Sequence, residues 1–149
     1  MSEGRSHPAV FEVLPHREPF SFLDEVGEVG EGRLVGHRVV RAEEPQFRGH
    51  YPGRPLMPGV LLCEMALQAG AYLMARRADV EWAGFPVVTR IKNVRFKRQV
   101  VPGDRVDVEV THDESVSGVH WMTGRLRVNG KLVCDMSFAV TLVKEEAVR

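Results

Sequence analysis

The chain has 149 residues, with 20 Lys+Arg against 20 Asp+Glu, 44% hydrophobic and 27% charged residues, 14 Gly and 9 Pro. These proportions exclude a disordered, collagenous or disulfide-stapled chain and predict one globular domain over residues 1–149, long enough to bury about two thirds of its surface. A formal net charge of zero removes the general electrostatic argument for nucleic-acid or anionic-membrane binding, and the two cysteines, Cys63 and Cys134, lack CxxC or Cys/His metal spacing and fit a reducing compartment.

The N-terminus, MSEGRSHPAV, lacks the basic-then-apolar order of a signal peptide, so the expected location is the cytoplasm. Residues 8–14 (PAVFEVL) predict a short helix stopped by Pro15. Residues 33–42 (RLVGHRVVRA) read as a strand. The segment that follows, EEPQFRGHYPGRPLMPG, carries four Pro and three Gly, too many for a helix or a central strand, and is expected to be an ordered loop. Residues 60–78 (VLLCEMALQAGAYLMARRA) contain no Pro and are mostly Ala, Leu and Met, which predicts a helix of about five turns. Within residues 60–75 only Glu64, Gln68 and Gly70 are not apolar. A helix apolar nearly all round is a buried helix, and this one is too short and too polar in its middle to span a bilayer.

The second half supplies the covering layer. In RVDVEVTHD, Val106, Val108 and Val110 share one face and Asp107 and Glu109 the other, the pattern of a half-buried strand. LRVNGKLV is a hairpin signal, because Asn129-Gly130 can both take the positive φ of a type I′ turn. Residues 131–143 then put Leu132, Cys134, Met136, Phe138, Val140 and Leu142 on one face. One buried helix with about five antiparallel strands defines an α+β domain whose sheet curls around the helix.

Glu64 is the residue that most needs explaining, since a carboxylate in an apolar helix costs several kcal/mol if buried unpaired, or is protonated. It either pairs with Gln68, four residues on, in a wet seam, or it has a chemical role. His50 stands in Arg48-Gly49-His50-Tyr51-Pro52-Gly53, a loop braced by Pro and Gly, and an imidazole, whose ordinary pKa is about 6.5, is a usable base type at neutral pH. Taken alone, a loop histidine is also an ordinary surface residue. Pro58-Gly59 either simply starts the helix or offers unpaired N–H groups, at the positive end of the helix dipole, to a carbonyl gaining negative charge.

Three segments, LPHREPFSFLDEV (14–26), GHYPGRPLMPGVLLCEMALQAG (49–70) and VRFKRQVVPGDRV (94–106), together resemble the (3R)-hydroxyacyl-acyl-carrier-protein dehydratases of the FabZ type, in the hotdog superfamily. The resemblance covers nearly the whole chain and implies a hotdog fold, an antiparallel sheet wrapped around one long central helix. It carries the family's catalytic His onto His50, its catalytic Glu onto Glu64, and the amide that holds the thioester carbonyl onto Gly59. By that resemblance His50 takes the C2 proton, Glu64 protonates the departing hydroxyl and Gly59 stabilises charge on the thioester oxygen, with no metal or redox cofactor. Glu rather than Asp at position 64 implies dehydration without isomerisation.

The resemblance further implies acyl carrier protein as the partner that delivers the substrate, and a homodimer with the site at its interface, assembling in one version as a hexamer, a trimer of dimers. The basic run Arg90, Lys92, Arg95, Lys97 and Arg98 is either the docking face for that acidic carrier or a solvated strand face. Arg90 and Lys92 also replace a small residue and an acid near the family's acyl tunnel. His16 and Arg17 match the family's opening motif and are expected to fix a loop at a subunit interface, without a catalytic role, and Cys63 is expected to serve packing. Two rival readings keep the same fold: an acyl thioesterase, which GHYPG with PGV argues against, and a non-catalytic acyl-binding subunit, which retention of both His50 and Glu64 argues against.

Overall fold

Strands that alternate apolar and polar residues must bury one face, and the Pro-free run of Ala, Leu and Met gives them a helix to bury it on. The computed structural model describes residues 8–77 and 84–143. A single turn of helix α1 (Val10–Val13) precedes strands β1 (Glu25–Val29) and β2 (Arg33–Val39). A 3₁₀ turn (Pro45–Arg48) then leads into helix α2 (Gly59–Arg76), followed by β3 (Phe85–Phe96), β4 (Arg105–Val116), β5 (Val119–Val128) and β6 (Lys131–Val143). The strands form one antiparallel sheet in the order β1-β2-β4-β5-β6-β3, leaving β1 and β3 at its edges.

Helix α2 begins one residue earlier than the sequence predicts, at Gly59, and Ala78, assigned to it from sequence, lies outside the described residues, as does Trp82. Six strands form rather than about five. The unexpected one, β1, reads EVGEV, alternates poorly and slips register against β2 between Val26 and Glu28, so no period-2 signal marks it. The Asn129-Gly130 turn has φ of 52° and 78°, as expected for a type I′ hairpin, and Ser117-Gly118 repeats it at 50° and 79° between β4 and β5.

Met65, Ala66, Ala69 and Leu73 of α2 are fully buried beneath Val106, Val108, Val110, Met122, Leu126 and Phe138 of the sheet. The helix lies so close that a Cβ on Gly70 would stand 2.7 Å from the Phe138 ring. Overpacking of that kind costs about 1–3 kcal/mol, which makes a small residue at position 70 a packing requirement. The β2–α2 loop, residues 40–58, is thereby brought to the N-terminal end of α2, where the candidate residues gather. No helix among the described residues is long and apolar enough to cross a membrane.

Candidate active site

His50 follows the 3₁₀ turn, and its backbone N–H donates to Gln46 O at 3.0 Å. Its Nδ1 lies 2.7 Å from Leu56 O. A carbonyl only accepts, so Nδ1 carries a hydrogen, and in the neutral ring the lone pair is on Nε2, the tautomer a general base requires. The adjoining Tyr51 holds φ at 61°, a region disfavoured for a side chain of its size, and its ring lies 4.6 Å from the His50 ring.

An ionic network buried behind this loop holds it in place. Arg38, on the inner face of β2 with 3% of its side chain exposed, pairs with Asp24 at 2.9 Å and Glu44 at 2.8 Å. Glu44 also accepts the Arg41 N–H at 2.6 Å and the Gln46 side-chain amide at 3.1 Å, which ties the ion pair to the residue that caps His50. Burial pushes the Asp24 carboxyl up, but the Val39 N–H and the Arg41 and Arg38 guanidiniums outweigh it and hold it below the ordinary 3.8. At the loop's far end Met57 N–H donates to Val100 O at 2.8 Å.

Glu64 projects from the second turn of α2 with 20% of its side chain exposed. Its Oε2 accepts from Gln68 Nε2 at 3.1 Å, so the pairing open from sequence does form. Gln68 is itself 1% exposed and fixed at both ends, taking the Phe22 N–H at 2.9 Å and donating to Phe20 O at 3.0 Å. His16, given no catalytic role from sequence, brings Nε2 to 3.9 Å from the same Glu64 oxygen. No signal in the sequence marks that approach, because 48 residues separate the two and only the fold joins them.

Gly59 opens α2, and its N–H has no acceptor among the described residues. A Cβ there would stand 2.8 Å from Phe96, so the ring at the end of β3 closes over the helix start. Cys63 and Cys134 are free and buried, and the contact with Cys63, together with burial, pushes the Cys134 thiol up, away from nucleophilic use.

Within the chain, His50 and Glu64 are held by separate partners, and no hydrogen bond or ion pair joins them. A groove of 540 Å³ lies between the Tyr51–Leu56 loop and Gln99 and Val101, beside His50. The basic run divides. Arg90 pairs across to Ala139 and Lys92 to Ser137, on the face opposite Ile91 and Phe138, so both turn away from α2. Lys92 lies 4.6 Å above the Trp121 ring, and Arg95 forms a two-point ion pair with Asp135 at 2.6 and 3.0 Å. Lys97 and Arg98 stand exposed just beyond β3 and lead to the groove residue Gln99.

A six-stranded antiparallel sheet around one helix is the hotdog fold, and the similar solved structures agree. A chain of the dehydratase heterocomplex ApeI:P from Xenorhabdus doucetiae superposes with a TM-score of 0.79 at 16% identity, over 94% of each chain. The TT0310 protein of Thermus thermophilus superposes at 0.65 with 21% identity, covering 86% of this chain and 100% of its own. The FabA-like domain family matches residues 14–137, and this chain belongs to that family. It is 40% identical to a 3-hydroxyacyl-[acyl-carrier-protein] dehydratase FabZ from Anaeromyxobacter dehalogenans, across 98% of this chain and 99% of the relative. With the FabZ of Clostridium perfringens it shares 37% identity, across 87% and 94%.

Proposed function

We propose that this chain dehydrates (3R)-3-hydroxyacyl chains carried on acyl carrier protein to trans-2-enoyl chains, in fatty acid or related lipid synthesis. Residues 1–149 make up one hotdog domain for this hydro-lyase reaction, and the cytoplasm is its place of work. The observation that carries the reading is the His50 Nδ1–H to Leu56 carbonyl bond, which leaves Nε2 free as a base in the motif that relates this chain to the FabZ dehydratases.

The chemistry requires a base, an acid and a support for negative charge at one place. The C2 proton is weakly acidic and hydroxide is a poor leaving group. His50 Nε2 takes the C2 proton, the electron pair forms the C2–C3 double bond, and the C3–O bond breaks as Glu64 protonates the departing oxygen, so that water leaves. The Gly59 N–H and the dipole of α2 support charge on the thioester oxygen. The cycle ends with a proton on His50 and none on Glu64, and one proton transfer restores both.

The working unit is a homodimer in which His50 of one copy meets Glu64 of the other. Support comes from the β3 edge, where Phe85, Val87, Val88, Ile91 and Phe96 are 37–53% exposed beside unpaired strand hydrogen-bonding groups. A second copy placed along that edge would cover them. Three such dimers would make the hexamer. Lys97 and Arg98, with Arg90, offer the carrier protein a positive approach to the groove, while Lys92 and Arg95 contribute through charges already engaged on the sheet.

Glu64→Gln keeps shape and hydrogen bonding but has no proton to give. Turnover is expected to fall by about 10² to 10⁴ with folding intact. Near-wild-type enoyl formation by this variant would end the proposal, and release of free thiol in place of enoyl product would make the protein a thioesterase.

A further inference from the structure

Glu64 is not merely placed in its site; one of its two oxygens is already in use. Gln68 accepts the Phe22 N–H at Oε1, and this fixes which end of its amide is which. Both hydrogens of Nε2 are then committed, one to Phe20 O at 3.0 Å and one to Glu64 Oε2 at 3.1 Å. His16 faces that same oxygen, with Nε2 at 3.9 Å, and among the described residues its buried Nδ1 has no hydrogen-bond partner. The backbone beneath the imidazole is held by Arg17, whose Nη1 donates to Leu14 O and His16 O, both at 2.8 Å.

A carboxylic acid cannot carry its proton on an oxygen that is accepting a fixed N–H at the same edge without losing that bond. We infer that Gln68, seconded by His16, is a positioning pair that claims Oε2 of Glu64 and so assigns the transferable proton to Oε1, the oxygen left for substrate. This rests on Glu64 being the acid of the proposed dehydration. The buried amide, anchored to two backbone groups 46 and 48 residues away, fixes the direction in which the acid delivers its proton.

Among the described residues, the titratable groups set against Glu64 are His16 and, on its own helix, Cys63. Under the proposed dimer the incoming His50 joins them. An N–H donor favours the carboxylate over the acid, and an imidazole N–H turned toward the same oxygen does so more weakly. Removing either therefore makes Glu64 hold its proton to higher pH, while loss of the amide also lets the carboxyl turn. A residue that only supports the fold would not produce that combination.

The test measures pH profiles of kcat and KM for the full chain, Gln68→Met and His16→Leu, with the N-acetylcysteamine thioester of (3R)-3-hydroxybutyrate followed by enoyl absorbance. In Gln68→Met, kcat is expected to fall about 10- to 100-fold, as for a misdirected catalytic group, with KM within about twofold and the alkaline limb of kcat displaced to higher pH. His16→Leu, which gives up no hydrogen bond, should shift the same limb upward with a loss of under about tenfold. Unchanged alkaline limbs would overturn the inference even if kcat fell. Should Gln68→Met fail to fold, His16→Leu decides alone by the same criterion. Glu64→Gln, run beside them, separates the two levels: if it keeps its turnover, the acid has been misassigned, whereas a dead Glu64→Gln with unmoved limbs in the other variants removes only the positioning pair.

Discussion

The two halves of the site are held by opposite means. The proposed base, His50, sits on a loop fastened by charge: Arg38 between Asp24 and Glu44, with Gln46 passing the constraint to His50. The proposed acid, Glu64, sits on an apolar helix and is held by a neutral amide, Gln68, itself anchored to backbone. The difference follows from the two tasks. A loop rich in Pro and Gly has little apolar surface to bury and needs strong polar ties to hold a ring in one tautomer. A carboxyl that must donate a proton cannot lie beside a permanent cation, which would keep it ionised.

Breaking the charged half should therefore cost the most. Arg38→Met leaves two carboxylates with their main counter-charge gone in a largely buried place, and removal of one partner from such a network costs about 3–5 kcal/mol. Chemical denaturation should record that loss, with turnover falling alongside it. Gly59→Ala comes next, because its methyl meets Phe96 at the helix start. That ring edge is half exposed and can turn aside, so we expect under about 1 kcal/mol of destabilisation, and Phe96→Leu in the same chain should restore part of it, a double-mutant cycle separating the clash from any lost contact with substrate.

Acid should also tell the halves apart. Asp24 is held below its ordinary value in the folded protein, so its contribution is complete above about pH 4 and disappears as pH falls through the lower, folded value. Thermal unfolding followed from pH 6 to pH 3 should show a steep loss that Asp24→Asn, already weakened, shows less of. The smallest effects belong to the surface. Lys97→Glu with Arg98→Glu should weaken turnover of carrier-bound substrate severalfold, with added salt mimicking the change and small thioesters untouched. Arg95→Ala, whose ion pair is exposed, should leave thermal stability nearly unchanged. Equal losses on carrier-bound and small substrates would show that the Lys97 and Arg98 changes act on the fold.

What the sequence makes legible follows local chemistry. The Pro-free run announces α2, Asn129-Gly130 announces its hairpin, and the segment from Gly49 to Gly70 supplies, by resemblance, the proposed roles of His50, Glu64 and Gly59. The edge strands are harder to read, because their pattern is interrupted: β1 slips between Val26 and Glu28, and β3 slips twice, between Val88 and Arg90 and between Lys92 and Arg95. Those slips also decide that Arg90 lies on the sheet face turned away from α2. Arg38 is within reach of pattern reasoning, since it shares a strand face with buried Leu34 and Gly36, yet an arginine in a strand is usually taken for surface. The approach of His16 to Glu64 depends on two distant segments meeting, and no periodicity encodes it.

The division of labour between loop and helix is tested most directly by mixing two dead proteins. His50→Ala and Glu64→Ala are unfolded and refolded together, beside each refolded alone, and assayed for enoyl formation. If each site takes His50 from one copy and Glu64 from its two-fold mate, a mixed dimer has one site with both lesions and one with neither. With random reassortment about half the dimers are mixed and half their sites are whole, so roughly a quarter of wild-type activity should return. No recovery, with subunit exchange demonstrated by mass-labelled chains, would mean that the base and the acid act within one chain.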